Sequence, residues 1–239
     1  EAAEEAGTPD LVMPTHDWRA TTPESTTATR YTGNPEAETL TGDDGADVFL
    51  PGGGDDTIDG GAGLDSVVLS QDRAAYDVGF GDGGATVSGA EGDLTMDGVE
   101  RVVFTDGVLA SPTDETAVRA YRLYEATFDR APDAEGLGYW IGELDAAENG
   151  RVAYDVMVKS FMGSEEFGNL YGQNVSDAGF VEALYQNVLD RAPDAAGEDY
   201  WLGEMEDGLA RWQVLASFAE SDENKAAVAS QIDDGIWYG

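Results

Sequence analysis

The 239-residue chain carries 49 acidic and 12 basic side chains, a formal net charge of −37, and 41% of its residues are apolar. That charge argues against nucleic acid and anionic membrane surfaces, which need cationic patches, and suits a cation-rich exterior where divalent ions and salt relieve self-repulsion. With no cysteine, zinc-thiolate, iron–sulfur and thiol-nucleophile chemistry are excluded and no disulfide braces the fold.

The apolar content is enough to build the cores of one large or two ordinary domains. Residues 1–32, rich in Thr, Ala, Glu and Pro, read as an extended leader, with Trp18 available to pack on the next segment of the chain. They lack the charged-then-apolar profile of a signal peptide, and no window of the chain approaches the ~20 apolar residues of a membrane span. His16, the only histidine, sits beside Asp17 in this polar segment and reads as a surface residue. A zinc site of the metalloprotease kind needs two histidines a helical turn apart, and a serine–histidine–aspartate triad would have only His16 to draw on.

Residues 33–68 divide into four consecutive nonapeptides, GNPEAETLT, GDDGADVFL, PGGGDDTID and GGAGLDSVV. The last matches G-G-x-G-x-D-x-U-x throughout, where U is a large apolar residue. The sixth positions are Glu38, Asp47, Asp56 and Asp65, and the eighth are Leu40, Phe49, Ile58 and Val67. A flexible acidic linker has no reason to space Phe49, Ile58 and Val67 nine apart. Glycine suits the turns because it visits backbone angles closed to other residues. The segments are not phosphate loops, since no G-K-[ST] comes after them and the local charge repels phosphate.

This period is that of the calcium-binding parallel β-helix repeat, and residues 33–110 resemble the hemolysin-type (RTX) calcium-binding repeat family. The resemblance implies a short parallel β-roll in which two nonapeptides make one coil, x-U-x strands point U inward, and six-residue turns hold calcium between loops two units apart. Carbonyl and carboxylate oxygens at coordination six to eight are what calcium takes. By that geometry Asp47 and Asp65 share one ion, and the resemblance implies that Gly42, Asp44, Gly61 and Gly63 add carbonyls. A second, weaker site would use Glu38 and Asp56 with carbonyls of Gly52 and Gly54, because Glu38 is longer than Asp and Pro35 and Glu36 stiffen its loop. The next loop on that edge begins near Leu69, and Ala74 at its sixth position has no carboxylate to hold an ion.

From 69 to 110, short apolar stretches such as Ala85-Thr86-Val87, Leu94-Thr95-Met96 and Val102-Val103-Phe104 alternate with Gly and Asp turns, predicting strands that continue or cap the roll. The stretch from Gly98 to Gly107 resembles a segment found directly after such repeats in secreted bacterial proteins.

The texture changes near Ser111. Ser111-Pro112-Thr113-Asp114 is a helix-start signature, and Val118, Tyr121, Leu123, Tyr124 and Phe128 fall at helical spacing, predicting helices from there to the end. This half is a duplication: LYEATFDRAPDAEGLGYW from Leu123 reappears as LYQNVLDRAPDAAGEDYW from Leu184. Pro132 and Pro193 break the first helix of each copy, and Asp133 and Asp194 are placed to cap the second. Asp129, Asp133 and Glu135 lack the alternating acids of an EF-hand, so capping and packing explain them better than a metal does. Arg130 and Arg191 are expected to tie the turn to carboxylates of neighbouring helices. Trp140, Trp201 and Trp237 could stack on sugars, but their spacing favours packing. No carboxylate pair stands out for glycoside hydrolysis.

Residues 111–239 resemble the uncharacterised domains labelled DUF4214, through R-x-P-D-x-x-G-x-x-Y-W, and are similar in outline to the helical domain of phycobilisome linker proteins. Together the resemblances imply an α+β chain of two domains, with Ca2+ as its metal, that is secreted through type I export or held at the surface of a Gram-negative bacterium. The expected role is a non-enzymatic structural or interaction protein whose calcium-folded roll carries a helical module for protein contacts, surface assembly or self-association. The alternatives are the C-terminal targeting part of a larger extracellular enzyme, and a glycan-binding module.

Overall fold

The computed structural model describes residues 28–81, 84–172 and 174–239. Most of the leader, with His16 and Trp18, lies outside the described residues. The chain is α+β, its sheets in the N-terminal half and eight α-helices, among the described residues, in the C-terminal half.

The nonapeptide strands alternate between two sheets. β1 (Thr29–Thr32), β3 (Asp47–Leu50) and β5 (Ser66–Val68) pair in parallel in one, and β2 (Thr39–Thr41) and β4 (Asp56–Asp59) in the other. Partners in a pair stand 18 residues apart, as Asp47 and Asp65 do. Phe49, Ile58 and Val67 are buried between the sheets, and Tyr31 stacks on Phe49 with ring centres 5.0 Å apart. Residues 29–32, assigned to the leader from sequence, are therefore a paired strand. Their signal was Tyr31, nine residues before Leu40 and in step with the apolar eighth positions.

After β5 the chain leaves the period. A 3-10 turn (Arg73–Ala75) leads into the antiparallel meander β6 (Tyr76–Gly81), β7 (Gly84–Gly89) and β8 (Gly92–Asp97). β8 lies parallel to β4, so the meander extends the second sheet. β9 (Arg101–Val103) then pairs in parallel with β5, and β10 (Val108–Ala110) turns back antiparallel to β9. Both sheets are thus mixed, parallel where the repeats run and antiparallel beyond them.

The helices form two quartets in the order the duplication predicts. α1 (Glu115–Phe128), α2 (Ala134–Asp145), α3 (Gly150–Met162) and α4 (Glu165–Tyr171) are succeeded by α5 (Asp177–Leu189), α6 (Ala195–Glu206), α7 (Arg211–Ala219) and α8 (Asp222–Ile232). Leu123, Leu137, Met157, Phe180, Leu184 and Leu215 are fully buried at their centre. Among the described residues no helix is long and apolar enough to cross a membrane.

Helices do not run to the end, in contrast to the expectation from sequence. Ile236–Tyr238 forms β11, antiparallel to β10, and covers the edge that β10 would otherwise expose. Val103, Val108 and Ala110 share one core with the helices, Ile236 and Tyr238, so the two halves are packed together.

Candidate metal centre

Alternate nonapeptide turns deliver their sixth-position acids to the same edge of the sheet pair, because strands 18 residues apart pair in register. On one edge the amide of Asp47 donates to Asp65 Oδ1 at 2.8 Å, and the amide of Asp65 donates to Glu100 Oε2 at 2.8 Å. On the other, the amide of Glu38 donates to Asp56 Oδ1 at 3.0 Å. Asp47, Asp56 and Asp65 are all buried, yet Asp47 Oδ1, Asp56 Oδ2 and Asp65 Oδ2 have no hydrogen-bond partner. Among the described residues none of the three forms an ion pair with a lysine or arginine.

Burial is the main reason that the Asp65 carboxyl is pushed from its ordinary 3.8 up to about 7, with the charges of Glu100, Asp47 and Asp43 adding to it against the hydrogen bond from Asp47. Burial likewise raises Glu100, and the Asp114 charge adds to it. Buried carboxylates with orphaned oxygens and no counter-charge are costly unless a cation or protons compensate them.

The turns between the acids pack backbone on backbone. Gly61 (φ 90°) and Gly63 (φ 139°) lie over Asp43 and Gly45 of the coil before, and the amide of Ala62 donates to the Asp43 carbonyl at 3.2 Å. Both glycines use left-handed backbone that side chains resist. A Cβ on Gly42 would collide with the carbonyl oxygen of Gly60 and lie 2.5 Å from Asp47 Oδ2. Gly42 therefore keeps a carbonyl and a carboxylate close together. Asp44 is exposed on the rim of its turn.

On the other edge Gly52 and Gly54 lie over Asn34 and Glu36. There Glu38 is occupied by its own loop: Oε1 accepts the Asn34 amide at 2.6 Å and Oε2 the Asn34 side-chain NH2 at 2.7 Å. Asp56 keeps a buried oxygen without a partner on that edge.

Among the described residues no three carboxylate or imidazole side chains form a ready-made metal cluster. The donors that do meet, two carboxylates with turn carbonyls, are all oxygen, which fits a hard cation such as calcium and no soft metal.

Glu100 was absent from the sequence-derived ligand set because 35 residues separate it from Asp65. The signal was present: Asp65-Ser66-Val67-Val68 and Glu100-Arg101-Val102-Val103 share an acid-x-Val-Val pattern, and their strands pair in register.

The helical turns hold their acids differently. Asp133 Oδ1 accepts the Gly136 amide at 2.7 Å and Asp194 Oδ1 the Gly197 amide at 2.9 Å, each capping the next helix. Arg130 grips Glu166 through two bonds of 2.6 and 3.0 Å, and Arg191 grips Glu223 at 2.7 and 2.9 Å. Trp140 and Trp201 pack on Phe161 and Phe218, with ring centres 5.6 and 5.3 Å apart.

No curated protein matches the chain. Residues 158–228, from within α3 to within α8 and including the whole second copy of the turn, match the model of a family described as Domain of unknown function (DUF4214).

Proposed function

We propose that this chain is a calcium-binding structural and interaction protein, acting outside the cell or at its surface. Residues 33–110 would be a hemolysin-type (RTX) roll that orders on calcium and presents the helical half to a protein partner. The observation that carries this reading is the run of buried, stacked acids with unpartnered oxygens on a coil of 18-residue period. A bound calcium ion would supply the positive charge these carboxylates lack.

The chain's own residues do the rest. Gly42, Gly61 and Gly63 let the turns approach closely enough to bring carbonyls beside carboxylates, and Asp47 and Asp65 fix the edge on which an ion would sit. Asp56 and Glu38 would make the weaker site, since Glu38 must leave Asn34 to join it. The strands are three to four residues long, too short to offset the ordering entropy while the acids repel each other. Metal binding free energy then becomes folding free energy.

The helical half supports the interaction role through Val152 and Val156, 57% and 51% exposed on α3. Exposed apolar side chains grouped on one helix mark contact surfaces more often than isolated ones do. Far-UV circular dichroism of the full chain in millimolar calcium and in excess chelator tests the proposal. The β signal should fall in chelator and return with calcium. An unchanged β signal after calcium removal would sink it.

A further inference from the structure

The acid ladder continues one step past the repeats. Asp65 stands to Glu100 as Asp47 stands to Asp65: in each case the amide of the earlier acid donates to the carboxylate of the later one at 2.8 Å. The backbone repeats the relation, since Ser66 pairs with Arg101 as Val48 pairs with Ser66. The turn before Glu100 is shorter than a nonapeptide turn, yet it brings Gly98 over Gly60. A Cβ on Gly60 would collide with the Gly98 carbonyl oxygen and lie 2.8 Å from Asp65 Oδ2, just as one on Gly42 would meet the Gly60 carbonyl and Asp47 Oδ2.

Asp65 is 0% exposed. Its Oδ1 accepts from Asp47, while Oδ2, which like the Gly98 carbonyl oxygen lies beside Gly60, has no partner. That orphaned buried oxygen marks the spot independently of how many acids surround it.

We infer that Asp65 Oδ2, the Glu100 carboxylate and the Gly98 carbonyl form a further site for a divalent cation of the calcium class, so that Asp65 bridges two ions. The inference rests on the calcium reading of the Asp47–Asp65 edge and adds a ligand that lies outside the nonapeptides. Gly98 and Glu100 also line a cleft of about 700 Å3 between the end of β8 and the segment entering α1, whereas Asp65 is not among its lining residues.

The position has a consequence for the helices. The Glu100 carbonyl accepts the Ser111 amide at 2.7 Å, and the next residue, Arg101, is buried against Asp114 and Asp145 at 2.6 Å each. Asp114 is the N-cap of α1 and Asp145 ends α2. An ion held by Glu100 therefore fixes the peptide that anchors both helices, and calcium bound to the β half steadies the helical half.

The test is calcium titration by calorimetry of the full, chelator-stripped chain, paired with thermal melting of the helical signal at 222 nm. E100Q should bind one ion fewer than the native chain and lose the calcium-dependent rise in helix melting. D47N should also lose one ion but keep that rise, and D65N should lose two. If E100Q does not fold, D65N losing no more ions than D47N overturns the inference. Native-like stoichiometry in E100Q, or a helix rise that survives it, also overturns the inference and leaves the Asp47–Asp65 reading standing. No calcium uptake by the native chain would remove both.

Discussion

Asp65 is buried between two other acids, with its carboxyl raised to about 7 by lost hydration and by the charges of Glu100, Asp47 and Asp43. In the metal-free chain this sets the sign of its pH dependence. Below its ordinary 3.8 the carboxyl is protonated in folded and unfolded chains alike. Between there and about 7 only the folded chain keeps the proton, so stability falls as pH rises, and it levels off above that range. Melting temperature measured in chelator should therefore drop across pH 5 to 7.5, and D65N should flatten that slope. Calcium should reverse the slope, because binding requires the ionised carboxylates. In a chain that keeps its β signal in chelator at pH 5, a native slope that is flat or rising would show that Asp65 is not the strained group. At this scale the period in the sequence placed Asp47, Asp56 and Asp65 at like positions of their turns, and all three are buried. It passed over Glu100, whose relation to Asp65 exists only after the β6–β8 meander has folded back.

The element that repeats most faithfully is the turn joining α1 to α2 and α5 to α6. Asp129 and Asp190 take left-handed backbone, φ 50° and 51°, to end the first helix. The arginine next in the chain reaches a glutamate in the first turn of α4 or α8, and the aspartate after the proline caps the next helix. The arginine pairs are exposed and contribute little by themselves, whereas the caps satisfy amides that have no other partner. D133A and D194A should each cost about 1 kcal/mol in urea denaturation, the usual scale of a lost N-cap, without changing calcium uptake. A loss of calcium binding in either would mean that these turns hold metal after all. The duplication and its caps were readable because their causes are local: a proline, an aspartate and a spacing. β11 was not readable, since Ile236-Trp237-Tyr238 is too short to show a period and becomes a strand only because β10 leaves it an edge.

Over the whole molecule one side chain joins what the sequence had divided. Arg101, 3% exposed, leaves β9 to meet Asp114 through Nε at 2.6 Å and Asp145 through NH1 and NH2 at 2.6 and 3.2 Å, beneath the ring of Tyr238. β11 closes the same junction from the other end of the chain. The charge balance is one-sided, since one guanidinium answers two carboxylates in a chain of net charge −37. Removing it should be severe, because it leaves the buried carboxylate of Asp114 facing the half-buried one of Asp145. R101M is expected to lose about 3–5 kcal/mol, the scale for breaking a buried ion pair from one side. The triple variant R101M/D114N/D145N should recover much of that loss, since asparagine still caps α1 and no buried charge is left alone. Urea midpoints read from the 222 nm signal, in calcium, separate the cases. If the triple variant is no more stable than R101M, the arginine acts through its packing against Tyr238 rather than as the charge that holds the helices to the sheet.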